Sequence, residues 1–175
     1  MKELTIFCTL LIFLNSCGKE TENLPKNSPR EFDDSILRSD YSPTKLVRGQ
    51  LLYMPVYSNV PYQLDTMLFD MSAFVAIHNV DIKHPIFLSN VLYFDQEGRL
   101  VDDFLKGQNI KLEPLATKDF YIPYEDKSGT GANFLIEWTS DTLVCEPLVE
   151  SITLSLKPNN TVAVISQGKI IKEKL

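Results

Sequence analysis

The chain has 175 residues, with 17 Lys and Arg against 23 Asp and Glu, a formal charge of −6 and a pI near 4.9. An acidic chain without clustered cations is unsuited to nucleic-acid phosphates, so no nucleic-acid partner is expected. Its acidity equally opposes adsorption to anionic headgroups, so any tie to a membrane must come from another device.

The first element supplies one. Lys2 precedes an apolar run from Leu4 to Leu14, interrupted by threonines. A helix of that length reaches about 16 Å, roughly half of a hydrocarbon core of about 30 Å, so it cannot be a permanent span. The order of basic residue, apolar run and processing site is that of a secretory signal peptide. "LNSC", Leu14 to Cys17, resembles the bacterial lipobox, although Asn15 is an unusual middle residue. The resemblance implies diacylglycerol on the Cys17 sulfur, cleavage after Ser16, and often acylation of the new amino group. Two or three acyl chains anchor a protein far more firmly than one. Gly18 stands where an Asp would favour inner-membrane retention, so the outer membrane is the expected location. With Cys8 discarded and Cys17 lipidated, Cys145 has no intramolecular partner, and no disulfide framework is expected.

Residues 18–44 mix charges with Pro25, Pro29 and Pro43 and show no sustained period. They read as a tether with a root-mean-square reach of about 29 Å if flexible. The expected division is therefore 1–16 signal peptide, 17–45 lipidated Cys and tether, and 46–175 folded domain.

From Leu46 onward the period is that of strands. In "MLFDMSAFVAIHN", Met67, Phe69, Met71, Ala73, Val75 and Ile77 fall on one face, with Leu68, Asp70, Phe74 and His78 on the other. "SNVLYFDQEGRLVDDFL" reads as a hairpin turning at Asp95 to Gly98. "ANFLIEWT" puts Ala132, Phe134, Ile136 and Trp138 together, with Glu137 pointing to water. "LVESITLSL" groups Leu148, Ile152, Leu154 and Leu156 apart from Val149, Ser151, Thr153 and Ser155. "KPNNT" and "SQGK" supply turns, and Pro55, Pro114 and Pro123 mark strand ends or edges. The spacing predicts an all-β, antiparallel immunoglobulin-like sandwich of about seven to nine strands, with Trp138 filling the core.

"YMPVYS", "IHNVD", "VLYFDQEGRLV", "LEPLAT" and "GTGANFLIEW" together resemble an uncharacterised bacterial domain-of-unknown-function family of small exported proteins or lipoproteins. The resemblance covers about residues 46–171, with "GTGANFLIEW" its most specific piece. It implies export and carries no catalytic role.

Chemical motifs are sparse. "SGTGAN" offers Gly129, Gly131 and Asn133 as a possible ligand-binding loop, yet it lacks the Lys-Ser or Lys-Thr of a phosphate loop and precedes a strand, so a hairpin tip explains it better. His78, Asp81 and His84 in "HNVDIKH" could ligate a divalent metal, but no clear fourth ligand follows, and a solvated connection is the plainer account. Blue copper is disfavoured because Cys145 lies far from both His, and Cys145 is expected to be small, buried or half-buried packing. No Gly-x-Ser-x-Gly elbow is present, and the pairs Asp102-Asp103 and Glu125-Asp126 would face opposite ways on a strand. No cofactor is expected. The sequence points to a lipid-anchored envelope protein of unknown molecular function, a binding or structural module that meets a protein, a glycan or another envelope component; the alternative is a metal-dependent enzyme or metal-binding protein using His78, Asp81 and His84.

Overall fold

The computed structural model describes Ser35, Leu37 and residues 46–62, 64–157 and 160–174. The signal peptide, Cys17, most of the tether and the centre of the "KPNNT" turn lie outside the described residues. One compact unit runs from Asp34 to Leu175; the other, Met1–Asp33, is wholly outside them.

The described chain is all-β. In order, the strands are β1 (Arg48–Pro55), β2 (Asn59–Tyr62), β3 (Leu64–Asp70), β4 (Ser72–His78), β5 (Ile86–Phe94), β6 (Leu100–Asp103), β7 (Ile110–Leu112), β8 (Thr117–Ile122), β9 (Asn133–Ser140), β10 (Leu148–Lys157), β11 (Asn160–Gln167) and β12 (Lys169–Lys174). Their pairings are all antiparallel. The first sheet runs β12-β1-β9-β5-β6, with β7 also on β5; the second runs β11-β10-β4-β8; β2 and β3 form a separate ribbon.

Twelve strands exceed the seven to nine expected because single alternating runs are cut where the chain changes sheets. Met71 divides "MLFDMSAFVAIHN" into β3 and β4, its N–H donating to the Ser58 carbonyl at 2.8 Å. Gly168 divides the C-terminal run, so that β11 serves the second sheet and β12 the first. A Cβ there would lie 3.3 Å from both Leu52 Cδ2 and Met54 Cε, so glycine suits the tight corner. The remaining extras, β2 and β7, are too short for alternation to reveal.

The core lies between the two main sheets. Leu52 and Met54 of β1, Leu88, Val91 and Tyr93 of β5, and Phe134, Ile136 and Trp138 of β9 pack with Ala73, Val75 and Ile77 of β4, Phe120 and Ile122 of β8 and Val149 of β10. Met71 and Phe69 are buried as their spacing predicts, whereas Met67 is exposed. Trp138 is fully buried, and its indole N–H donates to Gln50 Oε1 at 3.2 Å.

Glu137 does not point to water. Only 2% exposed, it accepts from Lys174 Nζ and Asn90 Nδ2. The outer face of the first sheet is itself covered: Leu51, Leu92, Phe94 and Leu135 form a second cluster with Tyr53 and Leu37 packed against it. Leu37 thereby joins the domain ahead of the expected boundary at residue 46. A strand buried on both faces defeats the rule that its polar neighbours are solvated.

The faces of β10 are the reverse of what hydropathy alone would assign. Val149, Ser151, Thr153 and Ser155 point inward and are buried, while Leu148, Ile152 and Leu156 are exposed. The register to β4 and to β11 runs without a shift, and it fixes the side on which each residue falls. Ser151 Oγ donates across the sandwich to the Pro55 carbonyl at 3.3 Å, so the sheets come close here and small side chains fit where leucines would not.

Candidate binding face

Turning β10 over puts its large apolar side chains on the outside of the second sheet, and the register carries the pattern across all of its strands. Ile152 pairs with Ile165 of β11 on one side and with Phe74 of β4 on the other, and Phe74 pairs in turn with Tyr121 of β8. This row is apolar from edge to edge and between 42% and 70% exposed. Phe74 and Tyr121 pack with ring centroids 4.8 Å apart and their planes tilted by 40°. On one side the next rows bring Leu154 beside Ala163 and Ser72, then Leu156, which is 73% exposed, beside Thr161. On the other side come Gln167, Glu150, Ala76 and Asp119, then Leu148, His78 and Thr117. Single exposed apolar residues are ordinary, but a contiguous row flanked by polar ones marks contact surfaces.

The metal candidates are divided between this face and the loop after β4. His78 sits on the outer face, with Nδ1 2.8 Å from Thr117 Oγ1 and Nε2 3.5 Å from Glu150 Oε1. Asp81 belongs to a hydrogen-bonded node at the end of the sandwich. Its Oδ1 accepts from the N–H groups of Lys83 and His84, and its Oδ2 accepts from the Cys145 N–H at 3.0 Å. The amides of Lys83, Cys145 and His84 hold the carboxyl at about 2, below its ordinary 3.8. Asn79 completes the node: its Nδ2 donates to the carbonyls of His84, Leu112 and Glu113, and its Oδ1 accepts from the Asp81 N–H. His84 Nδ1 lies 3.5 Å from Asp81 Oδ1, with half of its side chain exposed. Among the described residues, no three His, Cys, Asp or Glu side chains are grouped to hold a metal ion. Cys145 is exposed, contrary to the expectation that it would be buried or half-buried packing.

Gly129, Gly131 and Asn133 lie at the opposite end of β9. Gly129 has φ +97°, and a Cβ on it would collide with the Gln96 side chain; one on Gly131 would lie 3.3 Å from Gln96 Cβ. The Gly129 N–H donates to Ser58 Oγ at 2.7 Å, and the Gln96 N–H donates to the Ser128 carbonyl at 2.9 Å. The two glycines thus seat the turn after β5 against the loop before β9, and Gln96 fills the space above Gly129. Asn133 Nδ2 donates back to the Gly131 carbonyl at 3.3 Å. Beside them, Tyr93 Oη and the Ser128 N–H both donate to Asp126 Oδ1 at 2.9 Å, and burial pushes the Tyr93 phenol well above its usual range.

Sequence reasoning missed the outer face of the second sheet because it sorted the β10 residues correctly into two sets without establishing which set faces the core. Alternation separates faces without labelling them. The available signal was Phe74: its own strand places it opposite Val75 and Ile77, hence outside, and Ile152 shares its side once β4 and β10 pair in the register that sets the two opposite each other.

The chain belongs to the family described as "Protein of unknown function (DUF3124)", whose model matches residues 49–171, from β1 into β12. That span agrees with the resemblance carried by "YMPVYS" through "GTGANFLIEW". No curated protein matches the chain. A crystal structure of Thermotoga maritima 1070 is similar at 6% identity over 69% of this chain and 92% of that chain, with a TM-score of 0.40.

Proposed function

We propose that this protein is a lipid-anchored component of the bacterial envelope that acts by binding, and that the outer face of its second sheet is the contact surface. The observation that carries the reading is the exposed row Ile165, Ile152, Phe74 and Tyr121, continuous across four strands. Water contact along such a row is unfavourable by about 25 cal/mol for each Å² of apolar surface, which a partner would relieve. Anchoring rests on the lipobox-like "LNSC" and on acylation of Cys17. The glycine loop and the Asp81 node, whose polar groups are taken up within the fold, support a binding module over a catalytic one.

A photo-crosslinking residue introduced at position 165 of the full-length chain, expressed in intact cells, tests the contact surface. It should trap a neighbour much more efficiently than the same probe at Thr130, an exposed residue of the loop before β9 that lies on no strand of the second sheet. Equal trapping at both positions would refute the proposal.

A further inference from the structure

We infer that the partner of this face is a second copy of the chain, docked sheet against sheet about a two-fold axis; the inference rests on the binding face proposed above. A two-fold axis running along the strands between β10 and β4 turns the face onto itself row by row. Such an axis lays Ile152 on the partner's Phe74 and Ile165 on the partner's Tyr121, following the register that ties these residues into one row. In the next row it lays Glu150 on the partner's Ala76 and Gln167 on the partner's Asp119. No carboxylate falls directly opposite another, and Glu150 and its copy flank the axis one strand spacing, about 4.8 Å, apart. The strands of the two copies run alongside each other, as in the aligned packing of sandwich sheets.

Area allows this occupant as a weak partner. Outward residues about 4.8 Å apart across the strands and about 6.8 Å apart along them place about 400 Å² per copy opposite the partner, or about 800 Å² in total. That lies below a standard interface and fits a transient, reversible dimer. A lipid surface is the poorer fit, because the rows contain Glu150 and Asp119 and neither Lys nor Arg, whereas interfacial faces use cations to meet anionic headgroups.

The test uses full-length chains in intact cells, carrying two different epitope tags and Cys145→Ser to remove the exposed native thiol. Ile152→Cys in one chain and Phe74→Cys in the other should be joined by a short bismaleimide into a dimer bearing both tags. The yield should be several-fold above that of a Thr130→Cys pair. Adding Ile165→Glu to both chains should lower the yield about tenfold while circular dichroism of the purified protein stays unchanged. A Thr130→Cys pair that crosslinks as well as the facing pair would overturn the dimer. No dimer, with Ile152→Cys shielded from a water-soluble maleimide, would also overturn the second copy but leave the binding face standing with another occupant. No dimer, with Ile152→Cys freely labelled, would overturn both.

Discussion

The inversion of β10 makes a prediction whose sign can be read directly. Thr153 is fully buried, pairs with Ala73 of β4 in the core layer, and its Oγ1 has no hydrogen-bond partner among the described residues. Thr153→Val keeps the branched shape and deletes an unsatisfied hydroxyl, whose burial costs about 1–3 kcal/mol, so the variant should be more stable by about 1 kcal/mol after imperfect packing is allowed for. Ile152 lies one position away on the other face, 43% exposed. Ile152→Thr removes apolar surface already half in water and should change the monomer's stability by less than about 0.5 kcal/mol. Urea denaturation of the two variants, followed by circular dichroism at a concentration low enough to keep the chain monomeric, gives both values. If the leucines and Ile152 faced the core instead, the signs would exchange: Ile152→Thr would cost about 2 kcal/mol or more, and Thr153→Val would gain nothing. That outcome would refute the register and, with it, the binding face.

Trp138→Ala should destabilise the domain by about 3–5 kcal/mol through the cavity it leaves, with a further loss from the unpaired Gln50 Oε1; Trp138→Phe should cost less, and native Trp fluorescence should be blue-shifted and resist iodide quenching. Cys17→Ala should abolish labelling by a fatty-acid probe and leave the leader uncleaved, as read on a gel; undiminished labelling would refute the lipid anchor. Asp81 has a folded pKa near 2 against an ordinary 3.8, so the stability it contributes is present above the unfolded value and lost as pH falls toward the folded one. Asp81→Asn should therefore lower the melting temperature at neutral pH and flatten its fall over that acid window. Gly129→Ala should cost about 1–2 kcal/mol in denaturant titrations because of its positive φ, and adding Gln96→Ala should recover only the part due to collision.

Period-two alternation was enough to place the antiparallel strands, because a sheet with one wet face separates its residues cleanly. It sorted Met71 through Ile77 and Ala132 through Trp138 into core sets that the structure buries. It failed wherever both faces of a strand are occupied or the core prefers small side chains. Glu137 is enclosed because its outer face is covered and Lys174 and Asn90 satisfy it. Ser151, Thr153 and Ser155 are enclosed at a place where the sheets are close enough for Ser151 to reach the Pro55 carbonyl. Hydropathy ranks Leu above Ser for the interior; the width of the gap between sheets decides otherwise, and no local pattern reports that width.

The same contrast separates residues that look functional from those that are free to act. Gly129, Gly131, Asp81 and His84 attracted ligand and metal readings because glycines and titratable groups are what binding loops use. In this fold the loops at the two ends must satisfy their own backbone groups where they enter the sandwich. Asn79 and Asp81 do so at one end, and Ser58 with Asp126 does so at the other. Even "GTGANFLIEW", the most specific piece of the family pattern, is accounted for by packing: its glycines seat Gln96, Phe134, Ile136 and Trp138 fill the core, and Glu137 holds Lys174. Side chains already committed inside the molecule have little left to offer a ligand. The row from Ile165 to Tyr121 has no motif and no unusual chemistry, yet it is a run of apolar residues, one from each of four paired strands, whose surface the fold leaves exposed. A contact made there would depend on register and shape, which no local motif in the sequence advertises.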